Sequence, residues 1–345
     1  MLAISKLRSI AIKAVQQACI ACVEIQSHLV NEETINKKDK SPVTVGDYTV
    51  QALVIESLLS STQALGESEY SIVAEEDADT LAEQPDVQNK VLEYFNRYNA
   101  SKPIDASRLS ELLDKGKIKN PTTKRWWTLD PIDGTLGFLR RDQYAVALAL
   151  MEDNKPILGI LGCPSLPIAS NTPNDKGCIL IAQKGAGSFI RHIERDDEQP
   201  IHVSTQSDSS QAIFTESYVS RGFGHELNSK ISKNLGVTRD PLRIDSQCKY
   251  AMVARGDSDI YLRLTELAYK ECIWDHAAGH IIVEEAGGQV FDFQGKPLDY
   301  SVGRKLDNNI GIVCSNSNLY PALKESIKKS IDFKPHHYTF TLIFE

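Results

Sequence analysis

Residues 126–161 place the strongest constraint on how this 345-residue chain can fold. Three apolar, β-prone runs, 126–129, 144–151 and 157–161, follow one another with polar breaks, the pattern of strands in one sheet. The first run ends in Asp130-Pro131-Ile132-Asp133-Gly134-Thr135, so two carboxylates three residues apart leave a strand through a proline turn. Such a turn can aim both carboxylates, and the Ile132 carbonyl, at one point. Mg²⁺ is held by that kind of set, one or two carboxylates completed by water and phosphate oxygens. An Asx-turn with its second aspartate in solvent explains an isolated D-P-x-D-G equally well.

Further acids have the same placement. Glu75-Glu76-Asp77 follows a short apolar run, 70–74, that reads as a buried strand, and Asp47 opens a stretch, 47–59, with apolar residues at helical intervals. Asp275 lies in Trp274-Asp275-His276-Ala277-Ala278-Gly279, at the start of a helix that runs to about residue 286 and stops at Gly287-Gly288. Clustered carboxylates repel and raise one another's pKa unless a cation neutralises them, so one metal site accounts for their recurrence. Taken singly, Asp275 also reads as a helix N-cap, and Glu76 and Asp77 as solvent-facing bystanders.

With 46 acidic against 38 basic residues, the chain is not a general nucleic-acid binder, because such binding depends on clustered Lys and Arg. Any phosphate it holds is met by a metal or a local pocket. The seven cysteines are scattered, without metal-ligand spacing, and read as reduced thiols. No apolar run reaches the roughly 20 residues needed to span a bilayer. The N-terminus carries Lys6, Arg8 and Lys13 and no acid before Glu24, as a mitochondrial presequence does. However, Leu7, Ile10, Ala14, Ala18, Ala21 and Ile25 continue at helical spacing, which reads as a folded first helix in a cytoplasmic protein.

Residues 79–124 read as a charged insertion around one or two helices, 179–182 and 185–190 as a hairpin, and the polar stretch 191–200 as a boundary. The expected halves are 1–190, an α+β domain with most of the acids, and 191–345, an α/β domain. In the second half, 249–254 reads as a helix, and 260–263, 289–293 and 310–314 as strands. The tail after about residue 320 contains His336-His337, which can bind metal, but it reads as exposed or strand-adding.

Glu75-Glu76, the D-P-I-D-G-T from Asp130 and the W-D-H-A-A-G from Trp274, in that order, resemble the lithium-sensitive, magnesium-dependent phosphatase superfamily of inositol monophosphatases, fructose bisphosphatases and 3′(2′),5′-bisphosphate nucleotidases. The S-P-V-T-V-G-D-Y from Ser41, F-L-R after Gly137, L-G-I-L-G-C-P from Leu158, I-D-S-Q-C-K-Y from Ile244 and Y-L-R at Tyr261 look most like the bisphosphate nucleotidase branch. The likeness covers nearly the whole chain, to about residue 320. It implies a layered α/β/α/β/α sandwich and Mg²⁺-dependent hydrolysis of the 3′-phosphate of adenosine 3′,5′-bisphosphate, with 3′-phosphoadenylyl sulfate as a further substrate. Inositol monophosphatase or inositol polyphosphate 1-phosphatase activity is the alternative.

By the same resemblance, two to three Mg²⁺ ions are expected. Glu75, Asp130 and the Ile132 carbonyl would hold one, and Asp130, Asp133 and Asp275 a second. Asp47 with Glu75 would organise a third through water. Thr135, paired with Asp47, would take the proton of the attacking water. Ser246, Lys249 and Arg263 would surround the nucleotide, with Thr135 and Asp275 also touching substrate. Without the resemblance, Lys249 and Arg263 read as surface charges and Ser246 as an N-cap. Inhibition by Li⁺ and Na⁺ and a monomeric state are further implications. Two departures stand out. The position after the threonine, commonly lysine in nucleotidases, is Leu136, and the family's nucleotide-contacting histidine falls on Gly222 or His225.

Overall fold

The computed structural model describes residues 3–28, 34–36, 42–66, 70–219, 222–264, 269–334 and 339–342. The chain opens with α1 (Ile4–His28), whose Leu7, Ala11, Ala14, Ala18, Ala21 and Ile25 recur at helical spacing and are buried. The apolar spacing at the N-terminus therefore serves the core. β1 (Thr34–Asn36) pairs antiparallel with β2 (Pro42–Thr44), and Thr44 caps α2 (Val45–Ala64). The Thr44 backbone and hydroxyl both donate to Asp47 Oδ2 at 2.8 Å, a capping box that stabilises the helix start by about 1 kcal/mol.

β3 (Ser71–Ala74) is followed by α3 (Ala78–Ala82), α4 (Pro85–Tyr98) and α5 (Ala106–Asp114), three helices where the sequence suggested one or two. Next come β4 (Arg125–Asp133), α6 (Thr135–Leu139), β5 (Ala145–Glu152), β6 (Lys155–Pro167), β7 (Lys176–Gln183), β8 (Gly187–His192) and β9 (Gln199–Ile201). These strands form a seven-stranded sheet in the order β3-β4-β5-β6-β7-β8-β9. β3 and β4 are parallel, joined by the helical insertion, and the other pairs are antiparallel. The boundary expected at 190 falls inside β8, and β9 joins the same sheet, so the change of sheet comes after Ile201. Its signal was polarity, and an exposed edge hairpin is polar as well.

The second sheet is built from β10 (Phe214–Glu216), α7 (Gly224–Asn234), β11 (Leu242–Arg243), α8 (Cys248–Ala254), β12 (Ile260–Arg263), α9 (Ala277–Glu285), β13 (Gly288–Phe291), β14 (Ile312–Asn316) and α10 (Tyr320–Ser330), with strand order β11-β10-β12-β14-β13. β15 (Ile331–Lys334) and β16 (Thr339–Leu342) pair antiparallel, while His336 and His337 lie outside the described residues.

Three apolar clusters join the layers. Leu7, Ile25 and Ile55 of α1 and α2 pack on one face of the large sheet with Trp127 and Leu148. The opposite face, with Trp126 and Ala149, meets α8 and α9 through Tyr250, Ala278 and Ile281. The outer face of the small sheet is covered by α7 and α10 through Leu227, Ile231 and Leu323. The stack is thus helices, sheet, helices, sheet, helices. Contact between β6 and α9 depends on Gly159, where an added Cβ would lie 2.7 Å from the Ala278 carbonyl oxygen. Among the described residues no helix is long and apolar enough to cross a membrane.

Candidate active site

The acids converge because of strand pairing. Ala74 is partnered with Leu129 in the parallel ladder, and the Glu75 N–H donates to the Leu129 carbonyl at 3.2 Å, so Glu75 and Asp130 leave adjacent strand ends together. β4 continues beyond Asp130, but its register against β5 shifts between Asp130 and Asp133. Pro131 lacks a ladder donor, and the extra residue of the bulge re-aims the two aspartates. Asp275 arrives from the other half, in a 3₁₀ turn, Ile273–Asp275, ahead of α9. Carboxylate oxygens of Asp130, Asp133 and Asp275 lie within 4.8 Å of one another.

This donor set fits a hard divalent cation. Asp130 is 1% exposed and its Oδ1 is buried with no hydrogen-bond partner, a costly state for a carboxylate unless a cation meets it. Burial, then the charges of Glu75, Asp133 and Asp275, push the Asp130 carboxyl well above the usual range. Burial and Asp133 do the same to Asp275. Asp133 is also raised, mainly by burial, with Lys249 and Arg263 pulling the other way. A second group, Glu271, Asp275 and His276, is equally tight. Glu271 is already engaged there, accepting from Arg263 Nε at 2.6 Å and from His276 Nε2 at 3.3 Å, and the guanidinium disfavours a cation beside it.

A raised carboxyl pKa means that the folded, metal-free protein holds protons that the unfolded chain releases above about pH 4. Its stability therefore falls as pH rises. In EDTA the melting temperature is expected to drop between about pH 5 and about pH 8, and saturating Mg²⁺ is expected to abolish the drop, as read by calorimetry or circular dichroism. A flat profile in EDTA would show that the carboxylates do not repel.

Asp47, buried on α2, directs Oδ1 towards the Thr135 hydroxyl at 3.5 Å, and that hydroxyl also lies 3.3 Å from the Ile132 carbonyl oxygen. Thr135 begins α6 directly after Gly134, whose φ of +88° suits glycine. A Cβ on Gly134 would stand 2.8 Å from the Ser246 Cβ, so the acidic turn and the Ser246 segment touch across the two halves. Ser246 itself has φ +64°, an uncommon backbone for a non-glycine residue, and its hydroxyl accepts from the Cys248 N–H at 3.2 Å. Lys249 is buried on α8, and Arg263 ends β12. Glu75, Asp130, Ile132, Asp133, Thr135, Ser246, Lys249, Arg263 and Asp275 all line one cavity of about 680 Å³, and Asp47 adjoins it through Thr135. His225 lines the same cavity at the start of α7, where its Nε2–H donates to the Ser217 carbonyl at 2.8 Å. Leu136, 45% exposed, lies on the rim.

Some expectations needed revision. Lys249 is not a surface charge, being 2% exposed, and Glu76 is not a solvent-facing bystander, being 4% exposed. The backbone of Glu76 is gripped at both ends by the Gln51 amide. Asp77 caps α3, whereas Asp275 does not cap α9.

Several residues went unassigned in the sequence. Gln247 donates its N–H to Asp133 Oδ2 at 2.5 Å and its amide to the Trp274 carbonyl at 2.9 Å, and it accepts from the Gly279 N–H at 3.2 Å. Arg304 stacks 4.5 Å from the Trp274 ring and donates to the carbonyls of Ala74 and Gly116, holding the end of β3 beside the Asp275 turn. Arg140 pairs with Asp245 across the cavity rim. Gln247 carried a signal as part of the I-D-S-Q-C-K-Y segment, whereas Arg304 carried none.

Comparison with known proteins gives a consistent picture. Residues 4–332 match the inositol monophosphatase family. The chain is 66% identical over 333 residues to a 3′(2′),5′-bisphosphate nucleotidase of Dictyostelium discoideum, covering 96% of this chain and 98% of that protein. It is 38% identical over 349 residues to the enzyme of the same name from Schizosaccharomyces pombe, covering 95% and 97%. Among solved structures, the extragenic suppressor protein suhB from Bartonella henselae superposes with a TM-score of 0.63 at 20% identity, covering 94% of this chain and 99% of that one. An IMPase from Thermotoga maritima superposes with 0.62 at 20%, covering 93% and 96%. At that identity the two structures attest the fold alone.

Proposed function

The chain belongs to the inositol monophosphatase family, and from that premise we propose that it is a phosphatase that hydrolyses adenosine 3′,5′-bisphosphate to AMP and phosphate. The observation that carries this reading is the pairing of Lys249 and Arg263 with the carboxylates in one cavity. A monophosphate ester needs only the metal-holding wall. Two cations in the same cavity, beyond what one phosphate and its metals require, suit a second phosphate, and arginine can meet it with two parallel hydrogen bonds.

Glu75, Asp130, the Ile132 carbonyl, Asp133 and Asp275 would hold two to three Mg²⁺ ions, with Asp47 joining through water. When bound, Mg²⁺ neutralises the phosphoryl oxygens and makes a neighbouring water more acidic. The chain's own part is to orient the ester and to move a proton. In hydrolysis a bond forms from the water oxygen to phosphorus and the bond from phosphorus to the ribose 3′-oxygen breaks, the 3′-oxygen leaving as a hydroxyl with a proton drawn from solvent water. The Thr135 hydroxyl would take the water's proton while passing its own to Asp47 Oδ1, 3.5 Å away, because a threonine is too weak a base alone. Two backbone and hydroxyl donors from Thr44 hold Asp47 in place for this.

Ser246, Lys249, Arg263 and His225 would contact the nucleotide, and Leu136 leaves the rim without the charge that a lysine would bring. The half carrying β3 and β4 supplies most ligands to the metals. The half carrying the second sheet supplies Asp275 and the nucleotide contacts. Hydrolysis of 3′-phosphoadenylyl sulfate, inhibition by Li⁺ and Na⁺, and a monomeric state belong to the same reading.

Phosphate release from adenosine 3′,5′-bisphosphate and from inositol 1-phosphate, measured side by side with Mg²⁺ and with EDTA, tests it. The nucleotide is expected to be preferred and both activities to vanish in EDTA. Preference for the inositol ester would leave the metal wall standing and remove the second-phosphate role of Lys249 and Arg263.

A further inference from the structure

Arg263 is a long, flexible side chain asked to hold one orientation beside a second cation. Lys249 is its neighbour, an ammonium depressed by burial and further by the Arg263 charge. Glu271 supplies the opposing charge beside Arg263. Its side chain is 5% exposed. Its carboxylate is met by the Arg263 guanidinium at 2.6 Å and by His276 at 3.3 Å.

The contact geometry is selective. Glu271 Oε2 accepts from Arg263 Nε at 2.6 Å, so the carboxylate engages the inner nitrogen of a guanidinium that lines the cavity. The same oxygen accepts from His276 Nε2, and His276 Nδ1 accepts from the Tyr250 hydroxyl at 2.9 Å. Tyr250 in turn meets the Tyr261 ring edge-on at 5.0 Å, two residues before Arg263. The backbone of Glu271 is pinned as well, its carbonyl accepting from the Leu306 N–H at 2.9 Å. The carboxylate is therefore held by two donors at one oxygen, and its backbone by a third at the carbonyl.

We infer that Glu271 is a positioning residue for recognition of the substrate's second phosphate, acting through Arg263, an inference that rests on the bisphosphate reading above. The carboxylate fixes the guanidinium plane and supplies the counter-charge that lets two cations share one wall, without touching substrate itself.

The test compares adenosine 3′,5′-bisphosphate with adenosine 3′-monophosphate, which lacks the second phosphate, in the Mg²⁺-loaded wild type and in E271Q, R263A and the double variant. E271Q is expected to lose about 10- to 100-fold in kcat/KM on the bisphosphate, carried by KM. The monophosphate should change by less than about threefold, and the double variant should be no worse than R263A. Equal losses on both substrates, no loss on either, or a double variant whose loss is the product of the two single losses would overturn the inference. So would a rise of about tenfold or more in the Mg²⁺ concentration giving half-maximal activity of E271Q, which would make Glu271 a metal ligand. If E271Q does not fold, E271D keeps the charge with a shorter reach, and the same KM-selective loss on the bisphosphate is expected of it. A wild type that prefers inositol 1-phosphate would instead refute the bisphosphate reading, before any variant is compared.

Discussion

Asp130→Asn should slow hydrolysis by on the order of a thousandfold or more and, in EDTA, melt at a higher temperature than the wild type. The two effects share one cause. Asp130 is buried, one of its oxygens has no hydrogen-bond partner, and Glu75, Asp133 and Asp275 all act to raise its pKa. An asparagine keeps the shape and removes the charge. Several kcal/mol of transition-state stabilisation from a bound metal disappear, and each 1.4 kcal/mol or so is a factor of ten in rate. In the metal-free protein the same change relieves repulsion worth about 1.4 kcal/mol for each pKa unit. This is the trade of stability for function expected where like charges are gathered for a ligand. The kinetic and melting measurements are independent. Activity within tenfold of wild type would remove Asp130 from the metal-holding set, and a lower melting temperature in EDTA would show that the carboxylates are not in conflict.

Lys249→Met is expected to lower kcat/KM on the bisphosphate by about 10- to 100-fold at neutral pH, the range for a buried charge-assisted contact with phosphate. The pH profile is the more specific readout. Burial depresses the Lys249 ammonium to about 8, with Asp133 acting in the opposite direction and Arg263 adding to the depression. In the wild type, kcat/KM should therefore fall as pH rises through about 8, because that ratio reports the free enzyme and the neutral amine no longer attracts phosphate. In the methionine variant that decline should be absent. The stability consequence has the opposite sign. A lysine whose folded pKa lies below its unfolded value costs stability at neutral pH, and the cost fades as pH rises from about 8 towards about 10.5. Lys249→Met should thus be more stable than wild type below about pH 8, by up to about 3 kcal/mol, with the difference shrinking above it. A decline in kcat/KM that persists unchanged in the variant would assign the titration to another group.

Much of the site was legible in the chain itself, for definite reasons. Asp130, Asp133 and Thr135 belong to one turn, and Asp275 to one helix entry, so short-range geometry announces them. The apolar runs at 144–151 and 157–161 became β5 and β6 because a strand buried on both faces must be apolar along its length. The helical spacing of 47–59 became α2, with Asp47 in its first turn.

Other features belong to the tertiary structure. β4 runs on to Asp133 instead of ending at Asp130, because its bulge is defined only against β5. The change of sheet after Ile201 could not be read from polarity, which edge strands and linkers share. Lys249 looked like a surface charge until α8 was packed between two sheets, and Glu76 looked solvent-facing until Gln51 closed over it. Gln247 and Arg304 act on residues far away in sequence, Arg304 on the end of β3 and Gln247 on Asp133, and nothing in their immediate neighbours encodes those partners. The sequence alone determined which side chains could do the chemistry, because residue type and local spacing fix charge and turn geometry. Only the tertiary structure decided which of them are buried, how they are oriented and which cations face which acids, because long-range packing sets desolvation and distance.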